Sequence, residues 1–180
     1  MKKTILPSRL DNLISVLNPV DIFIDVGSDH GYASSYVLEN QLAKRVIATD
    51  IHALPAQRTS NYLKQQGFSD YSQVLCVDGL SSIRVRKSDA VLIAGMGGYE
   101  IIHILTDALD GNSIELGATF LLQPQRSFRE LRSFLADRGF EIRDERIARD
   151  KDKYYVGILA VYNGRAYQTD IISAVLGPVI

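Results

Sequence analysis

The chain has 180 residues, of which 46% are hydrophobic, and a formal net charge of −1 at pH 7. This length and apolar content suit one α/β domain whose core needs no metal ion or cross-link, and we expect a single domain over residues 1–180. The single cysteine excludes a disulfide framework, and the balanced charge excludes a nucleic-acid role that rests on global charge rather than on local patches.

The apolar segments predict a cytoplasmic protein without a membrane partner. The first ten residues, MKKTILPSRL, lack the apolar stretch of a signal peptide, and no later segment approaches the roughly eighteen apolar residues of a membrane span. Cys76 lies inside the apolar run 74–77, which predicts a buried and inert thiol. There is no cluster of Cys or Glu residues that would indicate a metal site.

An N-terminal helix is predicted over residues 8–18. Ser8 is a favourable N-cap residue, and Pro19 closes the segment. The apolar side chains of this segment fall at helical spacing: Leu10, Leu13, Ile14 and Leu17.

Strands and helices alternate over the middle of the chain. Short apolar, β-branched runs predict strands over 22–26, 46–49, 74–77, 90–94 and 119–122. The predicted helices cover 33–42, about 55–66, the amphipathic segment 101–109, and a segment that begins at Ser127 and ends before Gly139. Ser127 and Glu130 form a capping-box pattern at the start of the last of these helices.

The last part of the chain predicts an antiparallel hairpin. Two long strands, 141–148 and 154–162, are joined by the charged turn 149–153, and we see no domain boundary before about Gln168. Parallel strands need crossover helices, so the preceding alternation predicts a parallel sheet with helices on both faces. The predicted fold is α/β and Rossmann-like, a doubly wound, mostly parallel seven-stranded sheet with a C-terminal antiparallel hairpin.

Polar and glycine residues follow the predicted strands, where ligands bind in open α/β sheets. The loop 25–32, DVGSDHGY, has glycines at positions that allow a tight turn, but it is not the GxGxxG of dinucleotide sites. Its backbone N–H groups are expected to bind the carboxylate of a ligand, and S-adenosylmethionine (SAM) carries such a carboxylate. Asp50 is a suitable acceptor for ribose hydroxyls and Asp78 for an adenine amino group. The glycines in AGMGG, 94–98, make a flat backbone surface.

The same segments resemble the bacterial tRNA (adenine-22-N1)-methyltransferase family of class I SAM-dependent enzymes. The matching motifs are DVGSDHGY at 25–32, VDGL at 77–80, AGMGG at 94–98 and LLQPQ at 121–125. The resemblance runs from Ser8 to Pro178. Asp50 stands where the family typically has Glu. Family members continue after Gly-Pro into a helical region associated with holding tRNA, and we expect that region to be absent or truncated here.

The resemblance implies methyl transfer from SAM to N1 of adenine 22 in the D-arm of tRNA. The N1 lone pair needs no deprotonation, so the site should position the base rather than act as a strong general base. The expected catalytic residues are Asp29, Tyr32, Gly97 and Gln123. The expected cofactor-binding residues are Arg9, Asp25, Gly27, Ser28, His30, Asp50, Ile51, Asp78, Gly79, Leu80, Gly95 and Met96.

Each assignment has a structural alternative. Asp29 either accepts from the adenine amino group or caps the next helix, and Tyr32 either stacks on the base or lies in the core. Gln123 either binds a base edge or forms a turn, and Arg9 is expected to pair with the cofactor carboxylate. His30 either contacts the methionine part of the cofactor or forms hydrogen bonds to backbone groups only. His52 and His103 are expected to be structural or surface residues.

Two basic clusters are candidates for RNA-backbone binding, and solvated faces explain them equally well. They are Arg126, Arg129 and Arg132 on one predicted helix, and Arg84, Arg86 and Lys87 before the fourth strand. The alternative functions are methylation of a protein or small molecule, and SAM or RNA binding without turnover. An NAD-dependent oxidoreductase is disfavoured by the absent GxGxxG. The oligomeric state stays open between monomer and weak dimer.

Overall fold

The structure, a computed structural model, describes residues 3–177. The strands are β1 (Val20–Val26), β2 (Ala43–Asp50), β3 (Ser72–Cys76), β4 (Ala90–Met96), β5 (Thr119–Pro124), β6 (Phe140–Asp150) and β7 (Lys153–Tyr162). The helices are α1 (Ser8–Ile14), α2 (Tyr32–Glu39), α3 (Ala53–Gln65), α4 (Gly98–Asp110), α5 (Phe128–Asp137) and α6 (Ile171–Leu176). A 3-10 turn, Ser69–Tyr71, precedes β3. No helix among the residues described is long and apolar enough to span a bilayer.

The seven strands form one sheet in the order β3-β2-β1-β4-β5-β7-β6. The first five strands pair in parallel, and β7 runs antiparallel to both β5 and β6. The chain builds the sheet outward from β1 in one direction, then returns to the other side of β1 with β4. This confirms the predicted doubly wound fold with a terminal antiparallel hairpin.

Helices cover both faces of the sheet because successive strand residues point to opposite sides. On one face Ile24 packs in a cluster with apolar residues of α4 and α5, among them Ile101 and Leu131. On the other face Phe23 packs with apolar residues of α1 and α2, among them Leu13. The central strands are therefore buried on both sides, which explains their continuous apolar runs.

The first helix is shorter than the predicted 8–18. α1 covers Ser8–Ile14, and Pro7 rather than the predicted serine is its N-cap. The hydroxyl of Ser15 donates to the carbonyl of Asn12. Such a side-chain bond to backbone competes with continuation of a helix. The helix consequently ends one turn earlier than the apolar pattern indicated.

The prediction of a buried thiol at Cys76 is wrong. Cys76 is exposed and ends β3, which is an edge strand of the sheet. Its Sγ lies 3.7 Å from the carbonyl oxygen of Ile51. The apolar run predicts the strand, but sequence alone does not reveal that the strand lies at an edge.

The predicted capping box at Ser127 is also wrong. Ser127 precedes α5 with φ of 59° and makes no capping hydrogen bond through its side chain. A comparable bond occurs at α4 instead, where Oε2 of Glu100 accepts from the N–H of Gly97 at 2.8 Å.

The hairpin turn is tighter than the predicted 149–153, because Asp150 pairs with Lys153 across a two-residue turn.

A buried ion pair ties the C-terminal part of the chain to the sheet. The Nε of Arg132 on α5 donates to Oε1 of Glu145 on β6 at 2.8 Å, and the two side chains are 4% and 1% exposed. Nη1 of Arg132 also donates to the carbonyls of Ala174 and Val175 in α6. Arg132 is therefore a structural residue, and its predicted place in an RNA-binding cluster is wrong.

We expect Arg132→Ala to lower the free energy of unfolding by about 3 kcal/mol, because it leaves the Glu145 carboxylate buried without its counter-charge. Urea denaturation at neutral pH measures the change. Arg129→Ala, on the exposed side of the same helix, is the matched control and should shift stability by less than about 0.5 kcal/mol. Equal, small effects of the two substitutions would contradict the structural role of Arg132.

Candidate functional site

A cavity of about 820 Å³ opens beside the carboxyl ends of β1 and β4, where the strand order reverses. This is the position at which doubly wound sheets bind ligands, and the volume is that of a small-molecule site. Most of the predicted site residues line it: Arg9, Asp25, Gly27, Ser28, Asp29, His30, Tyr32, Asp50, Ile51, Asp78, Gly79, Gly95 and Met96. Leu80, Gly97 and Gln123 are outside its lining.

The loop after β1 turns sharply beneath the cavity. Gly27 has φ of 69°, and a Cβ at this position would overlap the terminal methyl of Met96, the last residue of β4. Gly31 has φ of 72° and begins α2. Both positions favour glycine because side chains rarely adopt this conformation, and at position 27 a Cβ would also displace the flexible methyl end of Met96.

The backbone N–H groups of this loop are used by the turn itself. Those of Gly27 and Ser28 donate to the carbonyl of Thr49, and those of His30 and Gly31 donate to the carbonyl of Ser28. These four groups are therefore not free to bind a ligand carboxylate, contrary to what the glycine pattern indicated. A ligand carboxylate in the cavity would have to bind groups other than these four.

Arg9 supplies a positive charge to the cavity. It is the one lysine or arginine among the described residues that line it. Nη1 of Arg9 donates to Oε1 of Gln123 at 2.8 Å, and the guanidinium carbon lies 5.8 Å from the ring centroid of Tyr155. Gln123 and Tyr155, on β5 and β7, thus hold the guanidinium at the side of the cavity beyond β4.

Gln123 is fully buried, and both polar ends of its amide are occupied. Oε1 accepts from Arg9 and from Nε2 of Gln125 at 3.0 Å, while Nε2 donates to the carbonyl of Pro124 at 2.9 Å. The predicted contact between Gln123 and a base edge does not fit this geometry. The amide is instead placed to orient Arg9.

Gly97 lies behind the cavity wall. A Cβ at Gly97 would lie 3.1 Å from Nε of Arg126, so the absence of a side chain lets this arginine pack against the turn. Leu80 is buried and faces a separate cavity of about 400 Å³. Both residues support the site from outside its lining.

Carboxylates end the two strands on the other side of β1. Asp50 is mostly buried, and its Oδ1 accepts from the N–H of His52 at 2.9 Å, which holds the side chain at the end of β2. Asp78 is exposed at the cavity edge. The next residue, Gly79, has φ of 51°, and a Cβ there would lie 2.9 Å from Ile104. The cavity consequently has hydrogen-bond acceptors at the end opposite Arg9.

An aromatic group forms part of the mouth. The rings of His30 and Tyr32 stack with centroids 5.4 Å apart, and Tyr32 meets Tyr62 edge-on at 5.1 Å. Tyr32 is 44% exposed, which excludes the alternative that it is a core residue. Asp29 has φ of 50°, and its carboxylate lies 3.5 Å from His30 and 3.9 Å from Arg58. Gly31 is the N-cap of α2, so Asp29 is not that helix's cap.

Some lining residues were missed by the sequence analysis. They are Pro7, Leu10, Val26, Ala33, Thr49, Leu92, Ala94, Glu100, His103 and Ile104. Glu100, His103 and Ile104 share one face of α4 at helical spacing, so the helical period predicted that they lie together but not that this face meets the cavity. The described residues contain no group of three or more His, Cys, Asp or Glu side chains that suits a metal ion.

Asp25 is a buried carboxyl group in the cavity wall. It is 4% exposed, and its Oδ2 accepts from the hydroxyl of Ser34 at 2.7 Å. Burial raises the pKa of Asp25 to about 6, against the smaller lowering effect of the Ser34 hydrogen bond. At neutral pH the carboxylate is thus ionised at a cost in stability.

We expect Asp25→Asn to stabilise the fold by up to about 3 kcal/mol at pH 7.5, and the gain to disappear as the pH falls towards 4. Because the pKa of Asp25 is raised on folding, the native chain binds the proton more tightly, and its stability falls as the pH rises from about 4 through 6. Urea midpoints across this pH range measure the effect. Asp70→Asn, at an exposed position, is the control. A stability difference independent of pH would contradict the expectation.

Comparison with known proteins places these features in a family. Residues 6–158 match the sequence profile of the family described as "Methyltransferase domain". The chain is 30% identical over 183 residues to the tRNA (adenine(22)-N(1))-methyltransferase of Bacillus subtilis, and the match covers 100% of this chain and 75% of the relative.

Solved structures agree with the sequence match. The B. subtilis m1A22 tRNA methyltransferase TrmK superposes with a TM-score of 0.83 and 28% identity, over 98% of this chain and 72% of that chain. A Streptococcus pneumoniae protein, solved in complex with S-adenosyl-L-methionine, superposes with a TM-score of 0.87 and 27% identity, over 97% of this chain and 80% of that chain. The chain belongs to the methyltransferase-domain family and, within it, to the tRNA (adenine-22-N1)-methyltransferases that its motifs resemble.

Proposed function

We propose that this chain transfers the methyl group of SAM to N1 of adenine 22 in tRNA. The observation that carries the proposal is one continuous cavity with carboxylates of Asp50 and Asp78 at one end and the guanidinium of Arg9 at the other. This distribution of charge matches a ligand with an adenosine at one end and an amino acid at the other. The tRNA substrate and the methylated position are those given in the name of the B. subtilis relative.

The residues of the cavity fit SAM. A carboxylate is an acceptor only, so Asp50 suits the two ribose hydroxyls and Asp78 suits the adenine amino group. The guanidinium of Arg9 suits the carboxylate of the methionine part, for which the loop N–H groups are not free. Gly95 has φ of 81° and no heavy atom within 4 Å of its Cβ position, which leaves open space beside the backbone.

The reaction requires positioning rather than acid or base catalysis. SAM, when bound, supplies an electrophilic methyl group on a sulfonium. Adenine N1 attacks the methyl carbon with its lone pair, the carbon–sulfur bond breaks, and its electron pair leaves with S-adenosylhomocysteine. No proton moves in this step, and the positive charge passes from sulfur to the adenine ring. The contribution of the chain is to hold N1 in line behind the methyl group.

The mouth of the cavity provides groups for the base. Tyr32 and His30 offer an exposed aromatic surface on which a flat base can stack after it leaves the tRNA helix. The carboxylate of Asp29 is 63% exposed and can accept from the adenine N6 amino group. Its negative charge also favours the cationic product over the neutral substrate.

Gln123 and Gly97 support the site indirectly in this proposal. Gln123 orients Arg9, and Gly97 leaves room for Arg126. The chemistry requires no metal ion, and tRNA is the one partner it needs. We expect the protein to act in the cytoplasm, where tRNA is present.

The central test is methyl transfer from labelled SAM to an unmodified tRNA transcript that carries A22. We expect label to appear as 1-methyladenosine, and to be absent with an A22→G transcript. Asp29→Ala should lower the rate roughly 10-fold or more, because one hydrogen bond to the base and a favourable charge are lost. Methylation of the A22→G transcript at an equal rate would overturn the assignment of the target base.

The role of Gln123 is tested by a double-mutant cycle with Arg9 on SAM affinity. We expect Arg9→Ala to weaken SAM binding roughly 10-fold and Gln123→Met to weaken it several-fold. The double variant should be no weaker than Arg9→Ala, because Gln123 acts through Arg9. Gln123→Met is close in shape to the native side chain, and thermal unfolding checks that the core is intact. An increased KM for tRNA with unchanged SAM affinity would indicate base contact instead.

A further inference from the structure

Exposed cations lie at both ends of the parallel strands, one group at the carboxyl ends and the other at the amino ends. Arg126 and Arg129, which we call the rim arginines, follow β5. Arg86 and Lys87, which we call the far-edge cations, precede β4. Loops that follow parallel strands lie at the cavity side of the sheet, and loops that precede them lie at the other side. β4 has seven residues, so roughly 20 Å separate the two groups.

The rim arginines are attached directly to the cavity wall. The N–H of Gln125 donates to the carbonyl of Met96 at 2.8 Å, and the N–H of Gly98 donates to the carbonyl of Arg126 at 3.0 Å. The loop after β5 is therefore hydrogen-bonded to the end of β4 and to the start of α4, and both of these elements contribute residues to the cavity lining. Nε of Arg126 packs over the turn between these two elements, 3.1 Å from the position of a Cβ on Gly97.

The charges of the rim arginines are available to a ligand. Both residues are exposed, and no carboxylate lies within 4.0 Å of either guanidinium in the part of the chain that the structure describes. Glu100 belongs to the same turn, but its Oε2 accepts from the N–H of Gly97. By contrast, Arg84 near the far edge pairs with Glu115 at 3.0 Å.

A second exposed element projects from the same side of the sheet. Leu122 of β5 pairs with Ile158 of β7, so the hairpin between β6 and β7 extends roughly 10 Å past the end of β5. Near its tip the guanidinium of Arg149 lies 5.9 Å from the ring centroid of Tyr154, which is 70% exposed. The tip and the rim arginines both lie on the side of the sheet where the cavity opens.

We propose that the rim arginines bind phosphates of the tRNA strand next to the target base. Two exposed rings on this side provide stacking surfaces: Tyr99, in the first turn of α4 and 64% exposed, and Tyr154. This inference rests on the proposed function, since it takes tRNA as the substrate. The guanidinium group of an arginine that has no carboxylate partner can bind a phosphate through two parallel N–H donors. The far-edge cations lie too far from the mouth to hold the same stretch of RNA.

The test compares two double variants that each remove two positive charges. Arg126→Ala with Arg129→Ala removes the rim arginines, and Arg86→Ala with Lys87→Ala is the matched control. Dissociation constants for the A22 transcript are measured from 50 to 200 mM salt, and SAM affinity is measured in parallel to check that the cavity is intact.

We expect the rim variant to weaken tRNA binding roughly 10-fold at low salt and to reduce the slope of log K against log salt by about 1.5, as for two lost phosphate contacts. The control should change neither quantity. Equal weakening by both variants, or no effect of the rim variant, would overturn the proposed docking surface. If the rim variant alone weakens binding while the wild-type chain forms no 1-methyladenosine at A22, the docking surface stands and the proposed function fails.

Discussion

The tight turn after β1 approaches the end of β4 closely, at the point where the cavity opens. Gly27 has φ of 69°, which side chains rarely adopt, and its Cβ position lies against the terminal methyl of Met96. The two segments meet where the strand order reverses, and the crossover helices leave a space above them. All the features that bear on ligand binding are arranged around this contact, including the carboxylates on one side and Arg9 on the other.

Four arginines discussed above have three different physical situations, and tertiary structure separates them. Arg132 is buried with Glu145 and holds α6 against α5 and β6. Arg9 is half-buried, with its guanidinium oriented by Gln123 and Tyr155 towards the cavity. Arg126 and Arg129 are exposed beside the mouth. Of these four residues, the exposed pair has the properties of a phosphate-binding surface, because desolvated or already paired arginines have little charge available to bind a mobile polyanion.

Most of the predicted site residues line one cavity, but several of their hydrogen-bond partners differ from those expected. Residues after β1, β2 and β3 were found because an acid or glycine that follows an apolar strand marks the ligand edge of a parallel sheet. Gln123 was assigned to the base because it follows the predicted fifth strand, yet its side chain is fully buried and hydrogen-bonded to Arg9, Gln125 and Pro124. The loop N–H groups were assigned to a carboxylate, yet the turn uses them. Hydrogen-bond partners distant in sequence decided both cases.

The sequence by itself determined the alternation of strands and helices, the parallel sheet with its terminal hairpin, and the edge of the sheet at which the cavity opens. These follow from local periodicity and from glycine positions, which depend on near neighbours in the chain. Only the tertiary structure decided that Cys76 lies at an edge, that one face of α4 meets the cavity, and that Arg132 is buried while Arg126 is not. Burial and pairing depend on residues far apart in sequence, so a local sequence pattern does not predict them.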